Sequence, residues 1–305
     1  MRRILMPILM AAGLAVMAGA GTAAARDPAG VQPQPAAWGR LAAPSQGPAQ
    51  AIGGYAAGCL AGGVPLAGEG TGYQIIRMSR NRYYGHPSLI AYLEDFGRKV
   101  AAAGLGTALI ADMTQPRGGP MRYGHASHQS GLDADIWLRL DLPALGRKER
   151  ESLHEVRYVD YARMSVTPAW SERQARMVRI AASDRRVDRI FVNPAIKKDL
   201  CARPWPDRAW LGKVRPWHGH DGHMHIRLVC PPGSSQCVPQ KALPEGDGCD
   251  EDLAWWLERA VPAREIPPEK AVPPNPKLPP SCTAVFGAKG ISVAQAKPAG
   301  NYDNN

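Results

Sequence analysis

The chain has 305 residues, enough for one large domain or two small ones, with 37 Lys and Arg against 27 Asp and Glu, a formal charge of +10. Such a charge suits contact with anionic polymers such as cell wall or lipopolysaccharide. Nucleic acid is the weaker partner, because no Lys/Arg cluster is interleaved with aromatics in a binding motif.

The chain opens MRRILMPILMAAGLAVMAGAGTAAAR. Arg2 and Arg3 form a positive start, and the apolar run over residues 4–17 is too short for a comfortable bilayer span. Ala23, Ala24 and Ala25 satisfy the small-x-small rule for signal-peptidase cleavage. Residues 1–25 therefore read as a secretory signal, set aside from fold reasoning. Its loss removes two arginines and leaves +8 from +10. No cysteine lies near the cut, which argues against a lipoprotein, and no other apolar run is long enough to cross a membrane.

Residues 26–70 are rich in Ala, Gly, Pro and Gln and read as an extended N-terminal arm, tied down at Cys59. The compact core domain is expected over residues 71–262. YQIIRM, from Tyr73, reads as a strand. HPSLIAYLEDFGRKVAAAG reads as a helix with Pro87 at its first position and Gly104 as C-cap. Leu89, Leu93, Phe96 and Val100 recur there at helical spacing. TALIADM is a strand, and TQPRGGP is a breaker-rich loop.

Then comes GHASHQSGLDADIWL, residues 124–138. From Leu132 the sequence alternates. Leu132, Ala134, Ile136 and Leu138 face one way, and Asp133, Asp135, Trp137 and Arg139 face the other. Thr167 and Pro168 look like an N-cap and first position, opening a helix to about Ala182. RIFVNP is a further strand. VRPWHGHDGHMHIRL, residues 214–228, ends in a strand that puts His223, His225 and Arg227 on one face. DLAWWLERA is a short amphipathic helix. Residues 263–305 form a proline-dense, extended C-terminal arm with a disordered end, pinned at Cys282. The expected architecture is α+β: one domain around a central antiparallel sheet that carries a metal site, with irregular disulfide-tied arms.

Six cysteines, all in the mature part, suggest three disulfides in an exported chain, with the pairing open. None has CxxC spacing, which argues against a cysteine zinc site.

The two histidine-bearing stretches hold six of the eight histidines. Zinc takes a few N, O or S ligands in a tetrahedron, and a catalytic site leaves one position to water. Asp135 follows His128 by seven residues, with Gly131 between them for a tight bend, so loop and strand can address one ion. His223 and His225 leave the same face of a strand, so one can bind metal while the other moves a proton. Nitrogen ligands dominate, which favours zinc over calcium or magnesium. There is no HExxH.

GHASHQSGLDADIWL, RIFVNPAIKK, VRPWHGHDGHMHIRL and GDGCDEDL together resemble the penicillin-insensitive murein endopeptidases of Gram-negative periplasms. These are zinc peptidases of the group that includes lysostaphin-type enzymes, D-Ala-D-Ala carboxypeptidases and the hedgehog N-terminal domain. The resemblance runs over about residues 51–282. It implies His128, Asp135 and His225 as metal ligands, with His125 as a further ligand. It implies His223 beside the metal water, as base or as stabiliser of the oxyanion, and His220 as a second active-site histidine that helps hold that oxyanion. It implies cleavage of the D-alanyl–diaminopimelyl cross-bridge between peptidoglycan stem peptides, in the periplasm. It also implies the pairs Cys59–Cys282, Cys201–Cys249 and Cys230–Cys237. Some members carry an Asp and a His for a second zinc; here that stretch reads VDYARMSV, so one zinc is expected although Asp160 and His154 lie nearby. Two readings compete with an enzyme: a non-catalytic wall-binding protein with structural zinc, and a metal-storage or chaperone protein.

Overall fold

The computed structural model describes residues 32–262, 270 and 274–292. The expected secretory signal and most of the proline-dense arm lie outside them. Among the described residues no helix is long and apolar enough to cross a membrane.

The strands that build the site are β1 (Gln50–Gly54), β2 (Ala57–Ala61), β3 (Glu69–Gly70), β4 (Tyr73–Ile75), β5 (Ala108–Ile110), β6 (Asp133–Trp137), β7 (Val187–Val192), β8 (Val214–Pro216) and β9 (His223–Leu228). The longer helices are α1 (Pro87–Ala102), α2 (Glu172–Ala182), α3 (Pro194–Ala202) and α4 (Glu251–Arg259). A seven-stranded sheet runs in the order β8-β7-β9-β6-β5-β4-β3.

The sheet is mixed, which corrects the antiparallel expectation. Its centre, β7-β9-β6-β5, is antiparallel throughout. The pairs β7–β8 and β4–β5 are parallel. Both have the same cause: a helix, α3 or α1, lies between the paired strands in sequence and carries the chain back to the same end of the sheet.

Period-two alternation sorts the sheet's faces. Leu132, Ala134 and Ile136 are fully buried, as are Met224 and Ile226 from β9. They share one core with Leu89, Leu93 and Phe96 of α1 and Met177 and Val178 of α2. Asp133, Asp135, His223, His225 and Arg227 take the opposite face. In the β6–β9 register His225 stands across from Asp135 and Arg227 from Asp133. The strands thus bring residues about ninety positions apart into one layer.

Helix α1 begins at Pro87 as expected, with His86 as N-cap; its Nδ1 accepts from Ser88 N at 3.2 Å. Helix α2 begins five residues later than Thr167, at Glu172. Ser171, with Gln174 three residues on, forms a capping box, which satisfies two backbone donors where Thr-Pro would satisfy one.

Within the arm expected to be extended over residues 26–70, the described residues from 32 on include paired strands and buried side chains. β1 and β2 make a hairpin with a two-residue turn, Tyr55–Ala56. Ala51, Leu60, Val64 and Leu66 are buried. The Ala/Gly-rich composition hid the hairpin, because small residues carry little periodic signal. Within the C-terminal arm lies a helix, α5 (Ser281–Gly287), also unanticipated.

Three disulfides join Cys59–Cys282, Cys201–Cys249 and Cys230–Cys237. The first ties α5 to β2 within a small cluster of Trp38, Ile52, Leu278 and Val285. It closes a loop of 223 residues. Replacing both partners, Cys59→Ser with Cys282→Ser, should lower unfolding free energy by about 2–5 kcal/mol. Denaturant titration reads this directly; a loss well under about 1 kcal/mol would show that packing alone holds the arm.

Candidate metal centre

Four imidazoles converge on Asp135. His128 Nε2 lies 3.3 Å and His225 Nδ1 3.4 Å from its Oδ1. His125 Nδ1 lies 3.5 Å and His223 Nε2 3.8 Å from its Oδ2. The ligand atoms of His125, His128 and Asp135 all fall within 4.8 Å of one another.

The outward nitrogens decide what the inward ones carry. His128 Nδ1 is 2.8 Å from the Met113 carbonyl, which can only accept. His125 Nε2 is 3.0 Å from Asp112 Oδ2. His223 Nδ1 is 2.6 Å from Glu155 Oε1. In each ring the outward nitrogen donates its proton. A neutral ring then turns a lone pair toward the Asp135 carboxylate. His225 adds a fourth ring, its Nε2 facing Asp133 Oδ1 at 3.3 Å.

Lone pairs and a carboxylate repel unless a cation lies between them. His128 Nε2 and Asp135 Oδ1 are buried and make no hydrogen bond. An orphaned pair of this kind is costly in a protein interior, and a metal satisfies it. The donors are nitrogen-rich, which fits zinc. Without an ion the compensating positive charge must sit on the rings: burial would raise the Asp135 carboxyl, and charged imidazoles, His128 foremost, hold it well below the usual carboxylate range.

Local backbone supports the cluster. The loop of residues 112–131 doubles back so that His128 and β6 meet. Gly131 has φ +81°, and a Cβ there would come within 2.8 Å of Leu60. His128 and His220 themselves adopt left-handed φ of 63° and 51°. That conformation is disfavoured for side chains of this size and gathers at functional sites. Thr114 Oγ1 donates to the His128 carbonyl, pinning the loop.

Asp133 is not a solvated neighbour of Asp135. It is 1% exposed and accepts from Arg227 Nε at 2.8 Å, Arg227 Nη2 at 3.1 Å and His128 N at 3.0 Å. Burial would raise its carboxyl; Arg227 and His225 keep it ionised. Asp112 is likewise held by Arg82 at 2.7 Å and Arg80 at 3.0 Å.

His223 and His220 stand on the open side. Burial opposes charge on His223, but Asp135 and Glu155 outweigh it and raise its pKa to about 9. Glu155 reaches it only because residue 222 is glycine: a Cβ there would meet Glu155 Cγ at 2.4 Å. The His220 ring centroid is 5.0 Å from that of His223. Its Nδ1 is 2.7 Å from the His218 carbonyl, and burial lowers its pKa to about 3. It is therefore neutral, donates outward, and offers a lone pair at Nε2. Asn193 fixes this turn: its Nδ2 donates to Gly219 O at 2.9 Å and its backbone N to His220 O at 3.0 Å. A cleft of about 420 Å³ opens here, lined by His125, His220, His225, Phe191, Trp217 and Arg227, among others.

A profile of the penicillin-insensitive murein endopeptidases matches residues 51–287. The chain belongs to that family. Proteins called penicillin-insensitive murein endopeptidase include one from Haemophilus influenzae, 46% identical over 76% of this chain and 82% of its own length. One from Yersinia enterocolitica is 44% identical over 82% of this chain and 90% of its own. One from Klebsiella pneumoniae is 41% identical over 90% and 95%.

Every site residue expected from the sequence (His125, His128, Asp135, His220, His223 and His225) lies at this one centre. Asp160 instead caps its own turn through Ala162 N and Arg163 N. The sequence reading missed Asp112, Glu155 and the Met113 carbonyl. Nothing in DMTQPRGG or LHEVRY marks them, because their partners come from other segments.

Proposed function

We propose that the protein is a zinc-dependent murein endopeptidase of the periplasm that hydrolyses the D-alanyl–diaminopimelyl amide between stem peptides and is insensitive to penicillin. One observation carries the reading: imidazoles whose outward nitrogens are tied to acceptors point their inward nitrogens at one carboxylate, of which Oδ1 makes no hydrogen bond. Family membership supplies the substrate class.

His125, His128, Asp135 and His225 would hold the zinc. When bound, zinc supplies a Lewis acid and a water whose pKa falls from 15.7 toward about 7. His223 exchanges a proton at Nε2, while Glu155 holds Nδ1–H and so fixes which nitrogen faces the reacting centre. His220, a lone pair at Nε2, accepts from water or from a substrate N–H. That reverses the oxyanion-holding role expected of it, because its only proton points at His218 O. Arg227, tied to Asp133 and Gln240, forms a fixed positive wall for substrate carboxylates. No serine is activated, so a β-lactam has nothing to acylate.

The structural-zinc alternative fares worse. A closed structural site leaves no coordination position open to water or substrate and needs no acid–base group beside it. Here His223, His220 and an open cleft stand beside the cluster. Mass spectrometry of muropeptides before and after incubation tests the reading. Cross-linked dimers should fall to monomers by a cut at the D-Ala–diaminopimelyl amide; a cut confined to another bond would reject the substrate.

A further inference from the structure

A run of aromatic rings leads out of the cleft. Phe191 lies 5.4 Å from His225 and 5.5 Å from Trp217, centroid to centroid. Trp256 follows at 5.3 Å from Trp217, and Trp255 at 5.2 Å from Trp256. His218 flanks Trp256 at 4.9 Å. Trp217 and Trp255 are 48% and 49% exposed. Single exposed apolar residues are ordinary, but a contiguous series that begins inside a cleft marks a binding surface.

The ledge is fixed from both sides. Trp217 N donates to Val192 O at 2.9 Å, so the ring leaves the end of β8. Arg215 of β8 pairs with Asp252 of α4. Cys201–Cys249 and Lys197, whose Nζ donates to Leu211 O at 2.7 Å and Asp247 O at 2.6 Å, anchor the chain just before α4. Indoles held this firmly lose little conformational freedom when a ligand lands on them.

We propose that this ledge is a subsite for the amino-sugar strand of murein. The proposal rests on reading the cleft as the place where murein cross-bridges are cut. Each stem peptide hangs from a sugar, so a cross-bridge in the cleft brings glycan with it. A pyranose ring has a face of C–H bonds and a rim of hydroxyl and acetamido groups. The face stacks on indole, and the rim needs polar partners. The ledge supplies both: Trp217, Trp256 and the exposed part of Trp255 as platforms, and Arg259, whose guanidinium lies 4.6 Å over the Trp255 ring and covers part of it, as a polar partner.

The test uses the purified protein and two probes. The first is murein glycan freed of its peptides, followed by tryptophan fluorescence and calorimetry. It should bind the wild type, and Trp217→Ala with Trp255→Ala should weaken binding about tenfold or more. Trp255→Tyr should restore most of the Trp255 contribution. The second is cleavage of peptide dimers with and without their disaccharides. The wild type should show a several-fold lower KM for the sugar-bearing form, and Trp255→Ala should bring the KM ratio toward one. Glycan that fails to bind, or binds the double variant as it binds wild type, would overturn the proposal. So would sugar-free dimers that need the same tryptophans, which would make the ledge a peptide contact, or a loss of self-association, which would make it a contact between copies. Glycan held by the ledge in a protein that cuts no murein would leave the subsite standing and reject the cleavage reading.

Discussion

His128→Ala should leave a folded protein without its zinc and without its activity. His128 is fully buried, and its Nε2 has no partner other than the ion the site would hold. The substitution removes one of the three ligands assigned on the 124–138 stretch and leaves Asp135 facing the remaining rings. Lewis-acid stabilisation supplies several kcal/mol of the barrier reduction, so hydrolysis should fall by about 10³-fold or more. The fold should survive, because Thr114 holds this loop through the residue 128 backbone and not through the ring. Metal analysis of the purified variant together with a turnover assay checks both halves. A variant that keeps one zinc per chain and a normal rate would remove His128 from the site.

His223→Ala should separate metal from chemistry. Its Nε2 is the farthest of the four inward nitrogens from Asp135, at 3.8 Å, and it sits on the open side. Zinc should be retained and kcat should drop by about 10²–10⁴, the range for losing a positioned proton-transfer group. Glu155→Ala should give a smaller loss of about 10–100-fold, as expected for a group that orients another. The loss should fall on kcat and leave KM nearly unchanged, since Glu155 touches His223 and lines no part of the cleft. Glu155→Gln keeps an acceptor for Nδ1–H and should recover much of the rate. A His223→Ala protein as active as wild type would sink the assignment, and one that loses its zinc would make His223 a ligand.

The parts of this site that were legible in the sequence share a property: each is local. The HxH of β9 and the His-to-Asp spacing into β6 are fixed by strand periodicity, and Gly131 marked its own bend. The alternation of residues 132–138 placed the apolar core and the site on opposite faces without reference to any other segment. What stayed hidden came from contacts between segments. Glu155 reaches His223 across 68 positions, and the gap that admits it is the missing side chain of Gly222. Asp112 reads as the end of a strand until His125 folds back onto it. The β1–β2 hairpin escaped because Ala and Gly give no periodic contrast. Helix α2 started late because Ser171 and Gln174 cap each other, a two-residue signal stronger than the Thr-Pro before it. The hydrogen-bonding sense of His220 depends on the His218 carbonyl two residues away, which the sequence does not orient.

The most direct measurement is conversion of cross-linked dimeric muropeptides to monomers by the purified protein, run with penicillin in one arm and phenanthroline in another. On the proposed reading the site would hold a metal-bound water and would use no serine nucleophile. Conversion should therefore proceed at the full rate with penicillin, stop with the chelator, and return when zinc is added back. Conversion that penicillin blocks and phenanthroline leaves untouched would contradict the zinc mechanism at its root.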